Sequence, residues 1–68
     1  MKLSARNVLP GKVISVAKGT TTAHDKVELA PGLTVFAAIT NEAVDELALQ
    51  VGDSVSAVIK SSDVMIGK

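Results

Sequence analysis

The chain has 68 residues, of which 47% are hydrophobic, and its seven basic and seven acidic side chains cancel to a formal net charge of zero. That balance excludes the broad positive field that draws DNA, RNA or an anionic membrane surface. A single domain over residues 1–68 is expected; at this size about 60% of the unfolded chain's surface is buried, and without cysteine no disulfide or thiolate metal site can brace it, which leaves subunit association as support.

Met1-Lys2-Leu3-Ser4 lacks the apolar core of a secretory signal, and no apolar run approaches the ~18 residues of a membrane span, so a cytoplasmic location is expected. Pro10-Gly11 leads into a strand predicted over Lys12 to Lys18. Its Val13, Ile14, Val16 and Ala17 place apolar groups on both faces, as in a strand covered on both sides. Gly19 opens Thr20-Thr21-Thr22, β-branched residues that favour extended backbone while offering hydroxyls, and a second strand runs from there to Leu29. Ala30-Pro31-Gly32-Leu33 has Pro and Gly at the central positions of a type II turn, which makes a hairpin. Beyond it Leu33, Val35, Ala37 and Ile39 alternate with Thr34, Phe36, Ala38 and Thr40, and the odd-numbered set is expected to face the core.

Thr40 or Asn41 can cap a short helix with Ala43, Val44, Leu47 and Ala48 on its apolar side. Glu42, Asp45 and Glu46 lie near its positive end, where the dipole favours acids. A helix of about two turns persists only against a sheet, which fits one closing the end of a barrel. Val51-Gly52-Asp53 turns the chain into a long strand, Ser54 to Lys60, and after Ser61-Ser62-Asp63 the run Val64-Met65-Ile66 supplies another. This order predicts a mostly β fold: a small five-stranded barrel of oligonucleotide-binding (OB) type with one short helix, assembled into an oligomer.

Two polar stretches near opposite ends, Ser4-Ala5-Arg6-Asn7 and Lys60-Ser61-Ser62-Asp63, set small hydroxyl donors beside a cation with no catalytic partner. Hydroxyls, backbone N–H groups and one or two cations can enclose a tetrahedral dianion, with charge-assisted bonds roughly twice as strong as neutral ones. The same residues also read as turn and cap positions, with Lys60 to Asp63 a solvated connector. Together with the Gly11-Lys12-Val13 strand start and the closing run Ala57-Val58-Ile59-Lys60-Ser61-Ser62-Asp63-Val64-Met65, they resemble the molbindin family of small molybdate-binding proteins over essentially the whole chain.

The resemblance implies molybdate, and also tungstate, as ligand, bound between subunits of a hexamer arranged as a trimer of dimers and serving intracellular molybdenum storage or homeostasis. Carried over by residue, Ser4, Ala5 and Arg6 supply hydroxyl and backbone donors, and Lys60 and Ser61 complete a principal site at a dimer interface. Arg6 and Lys60 are open to acting through side chain or backbone. A second class of site near the threefold axis falls on Gly19, Thr20, Thr21 and Thr22. There the three threonines and the polar His24-Asp25-Lys26 depart from the family's pattern, and an ordinary threonine-rich strand start is the competing reading.

Other chemistries are poorly supplied. OB barrels that bind single-stranded nucleic acid stack bases on aromatics in a basic groove, and this chain has one aromatic, Phe36. Phe36 is expected to pack, and nucleic-acid binding is the alternative function by fold analogy alone. His24 and Asp25 make a poor first shell for a bare metal cation, so none is expected. One histidine cannot serve as base for Ser4, Ser61 and Ser62 without further machinery, and no enzyme activity is expected. Asp63 is expected to point away from any oxyanion, which at ~4 Å near a surface it would repel by a few kcal/mol.

Overall fold

The computed structural model describes residues 3–68; Met1 and Lys2, and the reading of a leader placed on them, lie outside the described residues. Four strands, β1 (Asn7–Lys18), β2 (Thr22–Ala30), β3 (Leu33–Thr40) and β4 (Ser54–Ile59), form one antiparallel sheet in the order β3-β2-β1-β4. A single helix, α1 (Asn41–Glu46), links β3 to β4.

Strand β1 begins at Asn7, not at the expected Lys12, and runs through Pro10-Gly11. It changes partners along its length: residues 7–12 pair with β4, and residues 12–18 with β2. Pro10 therefore lies where β1 has one neighbouring strand, and its missing N–H need not interrupt two ladders. Gly11 serves a close approach. A Cβ there would stand 2.7 Å from Val27 Cγ1, 2.8 Å from the Glu28 carbonyl oxygen and 2.9 Å from Leu29 Cδ2.

The expectation that β1 is covered on both faces is corrected by a bulge. Val13 pairs with Val27 and Ser15 with Lys26, which leaves Ile14 as the extra residue. Val13 is buried with Ala23 and Val27 on the inner face, whereas Ile14 is 41% exposed on the outer one. Strand β2 alternates cleanly, with Ala23, Asp25 and Val27 buried and Thr22, His24 and Lys26 exposed. In β3, Val35, Ala37 and Ile39 turn inward as expected, but Leu33, at the hairpin, is exposed. The hairpin has Gly32 at φ +80°, the conformation a type II turn requires at that position.

Thr40, rather than Asn41, caps α1: its Oγ1 accepts the Ala43 N–H at 3.0 Å. Val44 enters the core, while Leu47 and Ala48, expected on the apolar side, are exposed because the helix has already ended. Ala48 takes φ +50°, and the Leu49 and Ala48 N–H groups donate to the Val44 and Asp45 carbonyls, the bond pattern of a Schellman C-cap. The turn that follows is fastened to β1 at its bulge. Gly52 donates to the Val13 carbonyl at 2.8 Å, and Val13 donates to the Asp53 carbonyl at 3.0 Å.

The expected fifth strand does not join the sheet. After Ile59 the chain enters a 3₁₀ turn, Ser61–Asp63, and Val64-Met65-Ile66 runs on without strand partners, Met65 and Ile66 each 91% exposed. The turn lies beyond the last rung of the β1–β4 ladder, where the described residues offer that segment no strand to pair with. The result is a four-stranded curled sheet, a half-barrel with one short helix, in place of a closed five-stranded barrel. Among the described residues no helix is long and apolar enough to cross a membrane.

Candidate functional site

The last rung of the β1–β4 ladder is Asn7 opposite Ile59, and Asn7 reinforces it by donating its Nδ2–H to the Ile59 carbonyl at 3.1 Å. Because the strands are antiparallel, Ser4-Ala5-Arg6 and Lys60-Ser61 extend from the same end of this pair. Two motifs more than fifty residues apart are thereby brought together. Ser4, Arg6, Lys60 and Ser61 are exposed and Ala5 is half-buried. Among the described residues none of these side chains makes a hydrogen bond or an ion pair, so the hydroxyls and both cations are uncommitted.

The 3₁₀ turn sets the polarity of this end. The Lys60 carbonyl accepts from the Asp63 N–H at 2.9 Å and the Ser61 carbonyl from the Val64 N–H at 3.3 Å. Two acceptors that would repel an anion are thus occupied, while the first N–H groups of such a turn lie outside its own hydrogen bonds. Ser62 and Asp63 are exposed on the turn. The arrangement is an exposed cluster of donors.

Gly19 to Thr22 lie at the opposite end of β1, so this loop is a separate locality from the first. Gly19 donates to the Thr22 carbonyl at 2.8 Å, and a Cβ at Gly19 would lie 2.8 Å from that same oxygen, which is why glycine stands there. Asn41, at the start of α1, donates its backbone N–H to the Thr21 carbonyl at 2.8 Å and its Nδ2–H to the Gly19 carbonyl at 2.9 Å. Gly19, Thr20, Thr21 and Thr22 are all exposed.

His24 and Asp25 project to opposite faces of β2 and form no pair. Among the described residues no group of three or more His, Asp or Glu side chains is placed to hold a metal ion. Phe36, expected to pack, is 73% exposed on the outer face of β3, with Lys26 Nζ 5.5 Å from its ring centroid. One aromatic and one lysine do not make a stacking groove. Two polar features went unread in the sequence. Asp25 is buried with both carboxylate oxygens lacking a hydrogen-bond partner, and Lys18 forms an ion pair with Asp45 on α1. The first had a signal, since Asp25 falls in phase with Ala23 and Val27; the second joins residues 27 apart and had none.

The family model described as the TOBE domain matches residues 3–66. Molybdenum-pterin-binding protein 3 of Clostridium pasteurianum is 46% identical over 66 residues, which cover 97% of each chain. The solved structure of a molybdate-binding protein from Sporomusa ovata superposes with a TM-score of 0.93 at 37% identity over the whole of both chains. The cytoplasmic molybdate-binding protein ModG, with molybdate bound, superposes with a TM-score of 0.90 at 43% identity, over 96% of this chain and 46% of ModG.

Proposed function

The chain belongs to the TOBE domain family, and from that premise we propose that it binds molybdate as a non-enzymatic oxyanion-binding protein. The observation that carries this reading is the convergence of the two donor motifs at the end of the β1–β4 pair, their hydroxyls and cations unengaged. The relatives named for molybdate or molybdenum-pterin binding span the same length of chain and the same fold. Ser4, Ala5, Arg6, Lys60 and Ser61 form the principal site, and Gly19 to Thr22 a second one.

An exposed cluster holds a tetrahedral anion poorly, and a second copy of the chain shields it. The exposed Val64-Met65-Ile66 run beside the principal site is apolar surface of the kind subunit association covers. A hexamer built as a trimer of dimers, with sites between subunits, fits that need. Tungstate, with the same shape and charge, is accepted in the same pocket, and the role is storage or homeostasis of the oxyanion in the cytoplasm, where ModG works.

Calorimetric titration with molybdate, tungstate and sulfate tests the proposal. Sulfate is smaller and leaves some fixed donors unsatisfied, at about 1–3 kcal/mol each, so it should bind at least about tenfold more weakly. Equal affinity for sulfate and molybdate would refute a fitted pocket. Ser61→Ala should weaken molybdate binding by about 1–3 kcal/mol; unchanged affinity removes Ser61 from the site.

A further inference from the structure

We propose that Lys18 is the cation that holds an oxyanion at the Gly19–Thr22 loop, and that Asp45 keeps this lysine in reserve while the loop is empty. The inference rests on the second-site reading above and assigns to that site a charge and a switch that the loop itself lacks.

The loop is prepared for an anion by what it has already given away. The Gly19 and Thr21 carbonyls are both taken by Asn41 and the Thr22 carbonyl by Gly19, so three acceptors that would oppose a negative ligand are occupied. Thr20, Thr21 and Thr22 are exposed, and among the described residues their hydroxyls enter no hydrogen bond. Hydroxyls alone do not balance a dianion, and the bonds that hold one strongly are charge-assisted. The cation directly joined to the loop is Lys18, the last residue of β1. Lys26 lies over the Phe36 ring, and Arg6 and Lys60 sit at the other end of β1.

Lys18 Nζ is held by Asp45 Oδ1, on the same six-residue helix whose first residue, Asn41, fastens the loop. Loop, lysine and carboxylate are therefore fixed to one element. The Lys18 and Asp45 side chains are 46% and 66% exposed, so the pair is a solvated one. Having to break such a pair costs a ligand that competes for the lysine no more than about fivefold in affinity. The pair borders an open cavity lined by Val16, Val44, Ala48 and Gln50, so the lysine chain is not packed in place on that side.

The test is calorimetric titration of the full-length chain with molybdate, in a Ser61→Ala background that weakens the principal site and leaves the second class visible. Asp45→Asn should tighten the second class by about twofold to fivefold. Lys18→Gln should weaken it by about tenfold or more and erase the effect of Asp45→Asn in the double variant, whereas Lys18→Arg should restore binding. With Ser61 intact, the principal class should be unmoved by all three substitutions. A second class whose affinity is unchanged in Lys18→Gln overturns this inference and leaves the second site standing. Titrations with a single class of site overturn both. Weaker binding in Asp45→Asn assigns Asp45 a structural role and also overturns it.

Discussion

Replacing Asp25 with valine should make the protein more stable, although it removes an acidic residue from the middle of β2, an inner strand. Asp25 is 3% exposed, and neither carboxylate oxygen has a hydrogen-bond partner. Burying a polar group without compensation costs about 1–3 kcal/mol on mutational scales, and an ionised one more. The side chain shares its face with Val16 on β1 and Ala37 on β3, and with Ala23 and Val27 along β2. Valine, of similar size, would continue that apolar row and bury a further aliphatic group. A gain of about 2 kcal/mol is the modest end of this reasoning, and for a domain of this size it raises the unfolding midpoint by roughly 8–16 °C. Thermal unfolding of Asp25→Val and the parent, at one subunit concentration and without ligand, measures it directly. Asp25→Asn should gain less, because it removes the charge but leaves a buried amide without partners. A valine variant melting at or below the parent would refute the reasoning and mean that the carboxylate receives hydrogen bonds from an ordered water or a second subunit.

Gly11→Ala should cost about 1–3 kcal/mol, since its Cβ meets the Glu28 carbonyl at 2.8 Å and backbone cannot yield as a side chain can; urea unfolding reads the loss. Ala48→Gly should add about 0.5–1 kcal/mol by relieving the left-handed backbone at the end of α1, seen as a higher midpoint with unchanged slope. Met65→Glu sets a charge on the exposed closing run and should shift sedimentation from oligomer toward monomer. An unaltered sedimentation profile would place the subunit contact elsewhere.

The legible parts of the fold were those written in neighbouring residues. Pro31-Gly32 announced its turn, the odd-numbered residues of β3 their inward phase, and Thr40 its cap, because each depends on a few local torsions and hydrogen bonds. The misread parts are properties of pairs of strands. Pro10-Gly11 reads as a strand boundary, yet proline is tolerated where only β4 lies alongside, and glycine is required where a Cβ would come within 3 Å of β2. No local pattern distinguishes Ile14 as a bulge from Ile14 as a buried strand residue; only the two registers on either side of it do. Val64-Met65-Ile66 has the composition of a strand and was assigned one, but a strand also needs an edge. The described residues supply none beyond the Asn7–Ile59 rung.

The site divides along the same line. Its donors were visible in the sequence by type, although hydroxyls next to a cation serve equally as turn and cap residues, and Ser61–Asp63 does form a turn. Their convergence was not visible, since it follows from the β1–β4 register, which joins residues 52 apart. That register also fixes how much of a pocket one chain can make. Ser4 to Arg6 and Lys60 to Ser61 leave the sheet side by side, in the direction of their strands, and are exposed apart from the half-buried Ala5. Donors arranged on one side reach some oxygens of a tetrahedral anion and leave the rest to water, and directed bonds lose most of their advantage when the ligand stays half-solvated. An oxyanion held firmly at this end therefore implies a second surface, and the apolar run that follows Asp63 gives that surface a reason to be another protein chain.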